Sequence, residues 1–453
     1  MRTIQQLLIL IVLIGFQSYA QWDKYPRPDE GVINGGLGLN WIDGKPFYRV
    51  SFRPEISFAD FGVGLDLNLD FDSEGKLRTE NFNEASDYLS IIRYVRYGLK
   101  NDPVFIKIGA LDYYTLGHGS IMQHFNNSPT YDSRRIGLVA DIDFGKFGIE
   151  SIMGSFSPAG VFGLRGYIRP LQFSSAGDIP IIGNLEVGVS YVSDFNSDAG
   201  ILAGTYNKTL KEFIPSKDNG AISIIGFDLG LPLLNSSFTD ITLYADYSKI
   251  VNFGSGVATG VMFDFNLSSM LTLNAKLERR FNNGKYIPSY FNSFYEVERF
   301  KVDSTKNVND PDQLTSKAKM LNSISENMDG FYGDLLVRVL NLFDIYGSYQ
   351  RLDKKSESGE LNLRAAIEPE GAPFVLRAGY DKINIQSEKD IFTLDDRSYL
   401  YTEAGYKPVE YILVSIVYSW TYTPVRGNDD KIISFEPQKR IEPRVSFIYP
   451  FKF

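Results

Sequence analysis

Residues 61–71 read FGVGLDLNLDF, and this stretch decides the fold. Every odd-numbered position carries a large apolar side chain, and every even-numbered position carries glycine, asparagine or aspartate. Because successive side chains of a β-strand point to opposite faces, one face of this strand is apolar and the other is small or polar. Its length also fits a tilted strand that crosses a bilayer, which needs about 9–11 residues, whereas soluble strands usually have about five or six.

The same alternation recurs along the chain. About twenty segments repeat it, and they begin near residues 32, 45, 61, 87, 102, 133, 146, 160, 184, 219, 238, 256, 270, 328, 343, 359, 374, 397, 410 and 440. Short connections fall at residues 59–60, 100–101, 143–145, 268–269, 341–342, 369–373 and 408–409. Long polar connections fall at residues 72–86, 111–132, 195–218, 281–327, 386–396 and 422–439. Short turns at one end and long loops at the other are typical of outer-membrane barrels. The pattern therefore predicts an all-β fold, a transmembrane antiparallel up-and-down β-barrel of about 16–20 strands.

The start of the chain has the three parts of a secretory signal. Arg2 gives a positive start, Leu7 to Phe16 is almost wholly apolar, and small residues precede Gln21. An apolar run of that length is too short for a membrane-spanning helix. Residues 1–20 are therefore predicted to be a signal peptide, and residues 21–453 a single barrel domain.

The end of the chain alternates in the same way from Val445 to Phe453. This segment resembles the C-terminal strand by which outer-membrane proteins are recognised for barrel insertion. The resemblance implies the barrel-insertion machinery as a partner through Phe453, the outer membrane of a Gram-negative bacterium as the location, and lipid and lipopolysaccharide as the surroundings.

The composition narrows the possible classes of protein. The chain has no cysteine, which excludes a disulfide framework and cysteine-ligated metals. Its net charge of −9 argues against nucleic acid as a partner. Aromatic residues make up 14%, which suits half-buried strands and interfacial girdles. Tyrosines near segment ends, such as Tyr48, Tyr406 and Tyr422, are predicted to anchor the barrel at the membrane interface.

The polar face of the strands carries charges of both signs. Two interpretations remain open: the charges form a transverse field that selects solutes, or they rigidify the lumen through salt bridges. The candidates for lining or narrowing a pore are Arg49, Arg53, Asp66, Asp70, Lys107, Asp112, His118, His124, Arg135, Arg165 and Arg169.

The long connection at 111–132 contains both histidines of the protein and is the third external loop of the predicted barrel. In position only, it resembles the third loop of general porins, which folds into the lumen and narrows it. Gly117 and Gly119 would permit a sharp inward bend. An eyelet would then form from the acidic and basic residues Asp112, Asp132, Arg134 and Arg135. The alternative is a lid packed outside the lumen.

Two further interpretations concern catalysis and metal binding. His118 and Ser120 have the spacing found in outer-membrane phospholipase barrels, which they resemble in that respect. The resemblance implies a hydrolase, but Gly119 replaces the aspartate of that family, and Ile121 and Met122 replace its Asn-Gly. The spacing of His118 and His124 fits neither a helix face nor a strand face for metal binding. No cofactor is indicated.

The longest connection, 281–327, is the one place where a helix is expected, and Ser304 to Met328 has the composition of a mobile external excursion. Its aromatic run is expected to continue a strand pair above the membrane; this run includes Tyr286, Tyr290, Phe291, Phe294 and Tyr295.

Three functions follow from these patterns. The first is a porin-like channel for the passive passage of small polar solutes. The second is a non-conducting structural or accessory barrel of an export or surface-attachment machine, whose lumen would be blocked by loops. The third is an outer-membrane hydrolase that depends on Ser120 and His118.

Overall fold

The structure of the chain is a computed structural model. It describes residues 25–26, 28–79, 82, 88–130, 134–156, 159–267, 270–303, 305–306, 310, 313–340, 342–368, 372–428 and 431–452. The predicted signal peptide and Phe453 lie outside the described residues.

One antiparallel sheet dominates the molecule. Its 21 segments make 20 barrel strands, because Phe61–Leu65 and Leu67–Phe71 are two parts of one strand. The strands are β1 (Glu30–Ile42), β2 (Lys45–Phe58), β3 (Phe61–Leu65 and Leu67–Phe71), β4 (Ile92–Tyr97), β5 (Val104–Gly109), β6 (Gly137–Asp143), β7 (Phe147–Met153), β8 (Val161–Ile168), β9 (Glu186–Asp194), β10 (Ile222–Asn235), β11 (Thr239–Ile250), β12 (Ser255–Leu267), β13 (Leu271–Asn282), β14 (Met328–Val339), β15 (Phe343–Leu352), β16 (Gly359–Ile367), β17 (Phe374–Ile385), β18 (Ser398–Val409), β19 (Ile412–Arg426) and β20 (Ile432–Lys452).

The sheet closes on itself. Each described strand pairs with its neighbours in sequence, and β1 pairs with β20 from Glu30↔Lys452 to Ile42↔Arg440. The first hairpin turns in two residues, since Asp43 and Gly44 both have positive φ, as a type I′ turn requires. Closure gives every strand a partner on both sides, so no sheet edge is left open. The predicted up-and-down barrel is confirmed, at the upper end of the expected strand number.

The barrel is apolar outside and charged inside. Phe58, Leu277 and Phe331 are each more than 60% exposed on the outer face. The alternate positions bury charged side chains such as Arg49 and Arg165, which are both 3% exposed. A closed barrel with this polarity satisfies its own backbone groups and presents an apolar surface to lipid. The alternation read from residues 61–71 thus determines which face meets the membrane.

The predicted interface tyrosines divide into two groups. Tyr48 and Tyr406 are 60% and 58% exposed on the outer face, as expected of membrane anchors. Tyr422 is 1% exposed, and its hydroxyl donates to the carbonyl oxygens of Asp396 and Ser398. The prediction for Tyr422 was therefore wrong: its side chain shares the outward phase of β19 with Val414 and Ile416, but the connection that contains Asp396 covers it.

The two ends of the barrel differ. One end of the barrel carries the long connections, together with a few tight turns such as Asp43–Gly44, and is called the long-loop end. The other end carries mostly short turns and is called the short-turn end. The connection predicted at 422–439 is much shorter, because β19 and β20 continue as a hairpin to Arg426 and from Ile432. The short-turn end also holds one longer segment of 3-10 turns, at Pro170–Phe173, Ser175–Asp178 and Ile182–Asn184.

The long loops contain the remaining regular elements. A hairpin pairs Ile201–Asn207 with Glu212–Asp218, and a second pairs Phe300–Val302 with Leu314–Ser316. Among the described residues, helices span Tyr295–Glu298 and Lys317–Ser323, and a 3-10 turn spans Glu388–Asp390. Among the residues that the structure describes, no helix has both the length and the hydrophobicity needed to cross a membrane.

Candidate functional site

The third external loop, residues 110–136, is called L3 here, and its described residues 110–130 and 134–136 fold into the lumen. Leu111, Met122 and Phe125 are at most 1% exposed. The loop is braced internally, because the backbone N–H groups of Tyr114 and Phe125 each donate to the other's carbonyl oxygen. Gly117, at the predicted bend, has a φ of 54°. L3 therefore lies inside the barrel, and the alternative of an external lid does not hold.

A second loop covers L3 from the long-loop end. In residues 283–327, called L7 here, Phe291 pairs in parallel with Met122. Ser289 donates its backbone N–H to the Ser120 carbonyl at 2.8 Å and its hydroxyl to the Gly119 carbonyl at 2.9 Å. The two loops thus form a two-layered plug.

The aromatic run of L7 supplies the core of this plug. Tyr290, Phe291 and Tyr295 are fully buried, and their rings contact one another with centroids 4.6 to 5.6 Å apart. The prediction that this run continues a strand pair above the membrane was wrong. Burial of these aromatic side chains against the apolar residues of L3 is more favourable in free energy than their exposure to water.

Ion pairs tie the plug to the barrel wall. The Arg299 guanidinium contacts Asp194 of β9 at 2.5 Å and Glu296 at 2.6 Å. Arg135 pairs with the same Glu296 carboxylate. Burial alone would raise the pKa of Glu296, but Arg135 and Arg299 outweigh it and hold that pKa below its usual value. Arg135 therefore joins L3 to L7 and does not take part in the predicted eyelet.

His118 anchors L3 to the barrel wall at β11. Its Nδ1 lies 2.7 Å from Oδ1 of Asp246 on β11, and the Ser120 hydroxyl donates to Oδ2 of the same carboxylate at 2.6 Å. Burial acts to lower the pKa of His118, but attraction to Asp246 outweighs it and raises the pKa above its usual value. Ser120 and His118 thus meet on one carboxylate and not on each other, which differs from a nucleophile that donates to its base.

His124 lies against a different wall. Its Nε2 is hydrogen-bonded to the Tyr346 hydroxyl of β15 at 2.7 Å. Burial lowers its pKa to about 3, with Arg364, Lys276 and Arg280 acting in the same direction. The two histidines therefore do not converge on a common point. Within the described residues, no cluster of three or more potential ligands has the geometry to hold a metal ion.

A cavity of about 170 Å³ lies beneath L3. It extends from Lys100 and Asp102 at the short-turn end to Asp112 and Tyr113 of L3, and across to Arg364 of β16. A volume of this size has room for several water molecules or a small organic solute. The charged residues that line it are Lys100, Asp102, Lys107, Asp112, Asp141, Asp143, Glu150, Arg165, Arg169, Glu186 and Arg364.

Arg165 of β8 is the centre of the cavity wall. Its guanidinium contacts Glu150 at 2.6 Å, Glu186 at 2.7 Å and Asp228 at 2.6 Å. The second oxygen of Glu150 accepts the backbone N–H of Gly117, which fastens L3 to this cluster. Such a buried cation is stabilised only because several carboxylates surround it.

Two further ion-pair groups complete this wall. Arg169 contacts Asp143 and Glu186, each at 3.0 Å. Lys100 contacts Asp141, which also accepts the Tyr114 hydroxyl of L3 at 2.9 Å. Across the cavity, Arg364 pairs with Asp381 and lies over the ring of Tyr113 at 4.0 Å. Charged groups of both signs therefore surround the space from several strands.

The predicted site residues fall into three groups. Lys107, Asp112, His124, Arg165 and Arg169 line the cavity. His118 and Arg135 fix L3 from outside it. The others lie away from the cavity in ion pairs between β2, β3 and their neighbours: Arg49 with Asp70 and Glu442, and Asp66 with Arg53 and Arg134.

The predicted eyelet is not formed as expected. Arg134 pairs with Asp66 at 2.6 Å and Arg135 with Glu296, while Asp112 lines the cavity apart from both. Asp132 lies outside the described residues. The prediction was wrong because the side chains of the adjacent residues Arg134 and Arg135 extend to different parts of the molecule and do not converge on Asp112.

Several residues of the site were missed by the sequence analysis. Glu186 shares the inward phase of β9 with Ser190, which was a usable signal. Lys100 and Asp102 lie in a short turn, and no periodicity marks their direction. Glu296 and Arg299 belong to L7, whose inward fold has no local pattern that announces it.

Comparisons with known proteins give only weak likeness. No protein-family model and no curated protein matches the chain. The outer membrane protein OpdK from Pseudomonas aeruginosa aligns over 93% of this chain and 99% of its own, with 10% identity and a TM-score of 0.32. OccK2 (OpdF) from the same organism, in complex with glucuronate, covers 94% and 96% at 10% identity and a TM-score of 0.31.

A mutant of the ferric enterobactin receptor PfeA, also from Pseudomonas aeruginosa, covers 94% of this chain and 81% of its own, at 9% identity and a TM-score of 0.36. Resemblance of this degree carries no argument about function, and the class of the protein rests on its own geometry. Twenty strands that close without an edge, an apolar outer face and a charged lumen make this chain a β-barrel of the outer-membrane type.

Proposed function

We propose that the protein is an outer-membrane channel for the passive passage of small polar solutes. The observation that carries this proposal is the charged cavity, which runs through the lumen from the short-turn end to the underside of L3. Because the strands of this barrel present ionic side chains to the lumen, the lumen can hold water, and polar solutes stay hydrated there.

The plug makes this channel narrow and selective. L3 and L7 lie across the lumen and are joined by backbone hydrogen bonds and by the Arg135–Glu296 ion pair. A general diffusion pore has an open constriction, whereas this lumen is crossed by two loops that pack on each other through buried aromatic side chains. A solute can therefore pass the plug only when L7 shifts relative to L3.

The same plug supports a second candidate, a non-conducting accessory barrel. Phe291 and Tyr295 are fully buried between the two loops, so the lumen is filled at this level. In that case the cavity opens only toward the short-turn end. Recognition by the barrel-insertion machinery and contact with lipopolysaccharide stay predictions under either function.

Single-channel recording separates the two candidates. The purified full chain is inserted into planar bilayers beside a variant in which residues 287–293 of L7 are replaced by a seven-residue Gly/Ser linker. We expect small current steps for the parent and larger steps for the L7 variant, because the upper layer of the plug is removed. A matched control replaces residues 208–211, at the tip of the external hairpin, and keeps the parental steps.

The accessory barrel predicts a different result. Neither the parent nor the L7 variant would give current steps, although both would show the heat-modifiable gel mobility of folded barrels. A hydrolase would instead release product from phospholipid or ester substrates, with loss of turnover in Ser120→Ala.

A further inference from the structure

The cavity beneath L3 holds more negative than positive charge. Six carboxylates and five cationic side chains line it. Two more carboxylates, Asp228 and Asp381, contact Arg165 and Arg364 from behind at 2.6 and 2.7 Å. His124 adds no positive charge, because burial lowers its pKa to about 3. Eight carboxylates thus face five cations.

Four of the five cations of the wall are already paired with carboxylates. Arg165 touches three carboxylates and Arg169 touches two. Lys100 and Arg364 each pair with one, Asp141 and Asp381 respectively. An anionic solute would have to displace one of these partners. A guanidinium that is saturated in this way offers little to a carboxylate from outside.

Asp112 is the exception among the carboxylates of the wall. It lies at the start of L3 and lines the cavity. No hydrogen bond or ion pair reaches its carboxylate from the part of the chain that the structure describes, whereas Tyr113, the next residue, donates its hydroxyl to Asp381. A carboxylate that lines a cavity without a partner is positioned to receive a cation from the solvent.

We propose that this cavity binds small organic cations, such as aliphatic ammonium compounds, with Asp112 as the residue that contacts the ligand. The proposal rests on the proposed channel function and gives that channel a solute class. A cation gains attraction from Asp112 and from the excess charge of the wall, where the partly desolvated setting strengthens it. An anion of equal size meets repulsion from the same groups.

Equilibrium binding tests the proposal without any need for conduction. The full chain in uncharged detergent is titrated calorimetrically with 1,4-diaminobutane and with succinate, which match in carbon number and differ in charge. We expect diaminobutane to bind and succinate to bind at least about tenfold more weakly. Equal or tighter binding of succinate overturns the proposal.

Two variants identify the residue. Asp112→Asn is expected to weaken diaminobutane binding by about tenfold, because it removes the contacting charge and changes no internal contact. Glu388→Gln removes one carboxylate from an exposed position on another external loop and is expected to leave binding unchanged. Diaminobutane binding that Asp112→Asn leaves unaltered would overturn the assignment, as would an equal loss in Glu388→Gln.

Reversal potentials in a KCl gradient separate this proposal from the proposed function. A cation-selective current that falls in Asp112→Asn supports both. An anion-selective current supports the channel and overturns the cation site. Diaminobutane binding that depends on Asp112, in a protein that passes no current, supports the cation site and overturns the channel.

Discussion

The closure seam and the cavity wall are two stretches of one barrel with the same alternating pattern. At the seam, formed by β20, β1, β2 and β3, Arg49 contacts Asp70 at 2.7 Å and Glu442 at 2.6 Å. In the cavity wall, formed by β5 to β9, Arg165 contacts three carboxylates and faces open space. Both arginines are 3% exposed.

The two regions differ in what their inward side chains contact. Seam side chains pair with one another between neighbouring strands, so their charges act as structure. Cavity-wall side chains reach L3, which leaves a space beneath it. Strand periodicity therefore decides that a residue is inward and polar, and a loop from elsewhere in the chain decides whether that residue lines a site.

Removal of the central cation of each region is expected to change the free energy of unfolding more than any other substitution considered below. Arg165→Met leaves three carboxylates without their shared partner and is expected to lower the free energy of unfolding by about 3–5 kcal/mol. Arg49→Met leaves two carboxylates without their shared partner and is expected to lower the free energy of unfolding by a smaller amount. Urea unfolding in lipid vesicles, followed by tryptophan fluorescence, measures both, and Arg165→Lys serves as the control that keeps the charge. A larger loss in Arg49→Met would remove the distinction between the regions.

The contact between L3 and the cavity wall is tested at Gly117. Alanine there is strained at a φ of 54°, and its Cβ would lie 2.9 Å from Cδ of Arg165. Gly145→Ala has the same backbone strain at 81° but nothing within 4 Å. Both are expected to cost about 1–2 kcal/mol in unfolding free energy. Only Gly117→Ala should expose L3 to trypsin, and equal protection in both variants would contradict the packing of L3 on Arg165.

The His118–Asp246 contact makes the attachment of L3 sensitive to pH. The pKa of His118 is raised in the folded protein, so its stabilising contribution is complete below the unfolded pKa and is lost as the pH rises through the folded pKa. We expect proteolysis of L3 to increase several-fold between about pH 5 and pH 9. Asp246→Asn should remove this step and Ser120→Ala should keep it. A pH-independent rate in the parent would show that the ion pair does not hold the loop.

An exposed pair at the seam gives the smallest expected effect. Lys452 lies 2.8 Å from Glu30, but its side chain is 77% exposed. Lys452→Gln is expected to change the unfolding free energy by less than about 0.5 kcal/mol, because solvent screens such pairs. Backbone pairing of β1 with β20 maintains closure without it. A loss as large as that of Arg49→Met, in the same urea assay, would assign closure to the ion pair.

The barrel wall was predictable because its rule is local. Alternation in residues 61–71 requires only that neighbouring side chains face opposite ways, and this holds for strands as distant as β3 and β19. At Tyr422 the rule gave the outward face, but the connection between β17 and β18 covers this side chain and buries it. The rule failed at 422–439, where polar residues continue the β19–β20 hairpin and do not form a loop.

The plug was predictable only in part. The paired glycines of L3 indicated a bend, and position suggested an inward fold. The partners of Arg134 and Arg135 were not predictable, since Asp66 and Glu296 lie 68 and 161 residues from them in sequence. The inward fold of L7 depends on contact between Phe291 and Met122, and such long-range pairing leaves no periodic trace in either segment.

Cysteine accessibility tests most directly that the alternating faces meet lipid and water. The natural chain has no cysteine, so a single introduced thiol reports its own surroundings. Lys107 faces the cavity, and Ile108 beside it is 42% exposed on the outer face. In vesicles opened to both sides, a charged methanethiosulfonate reagent should label Lys107→Cys and leave Ile108→Cys unlabelled. Labelling of Ile108→Cys with protection of Lys107→Cys would contradict the inside-out barrel.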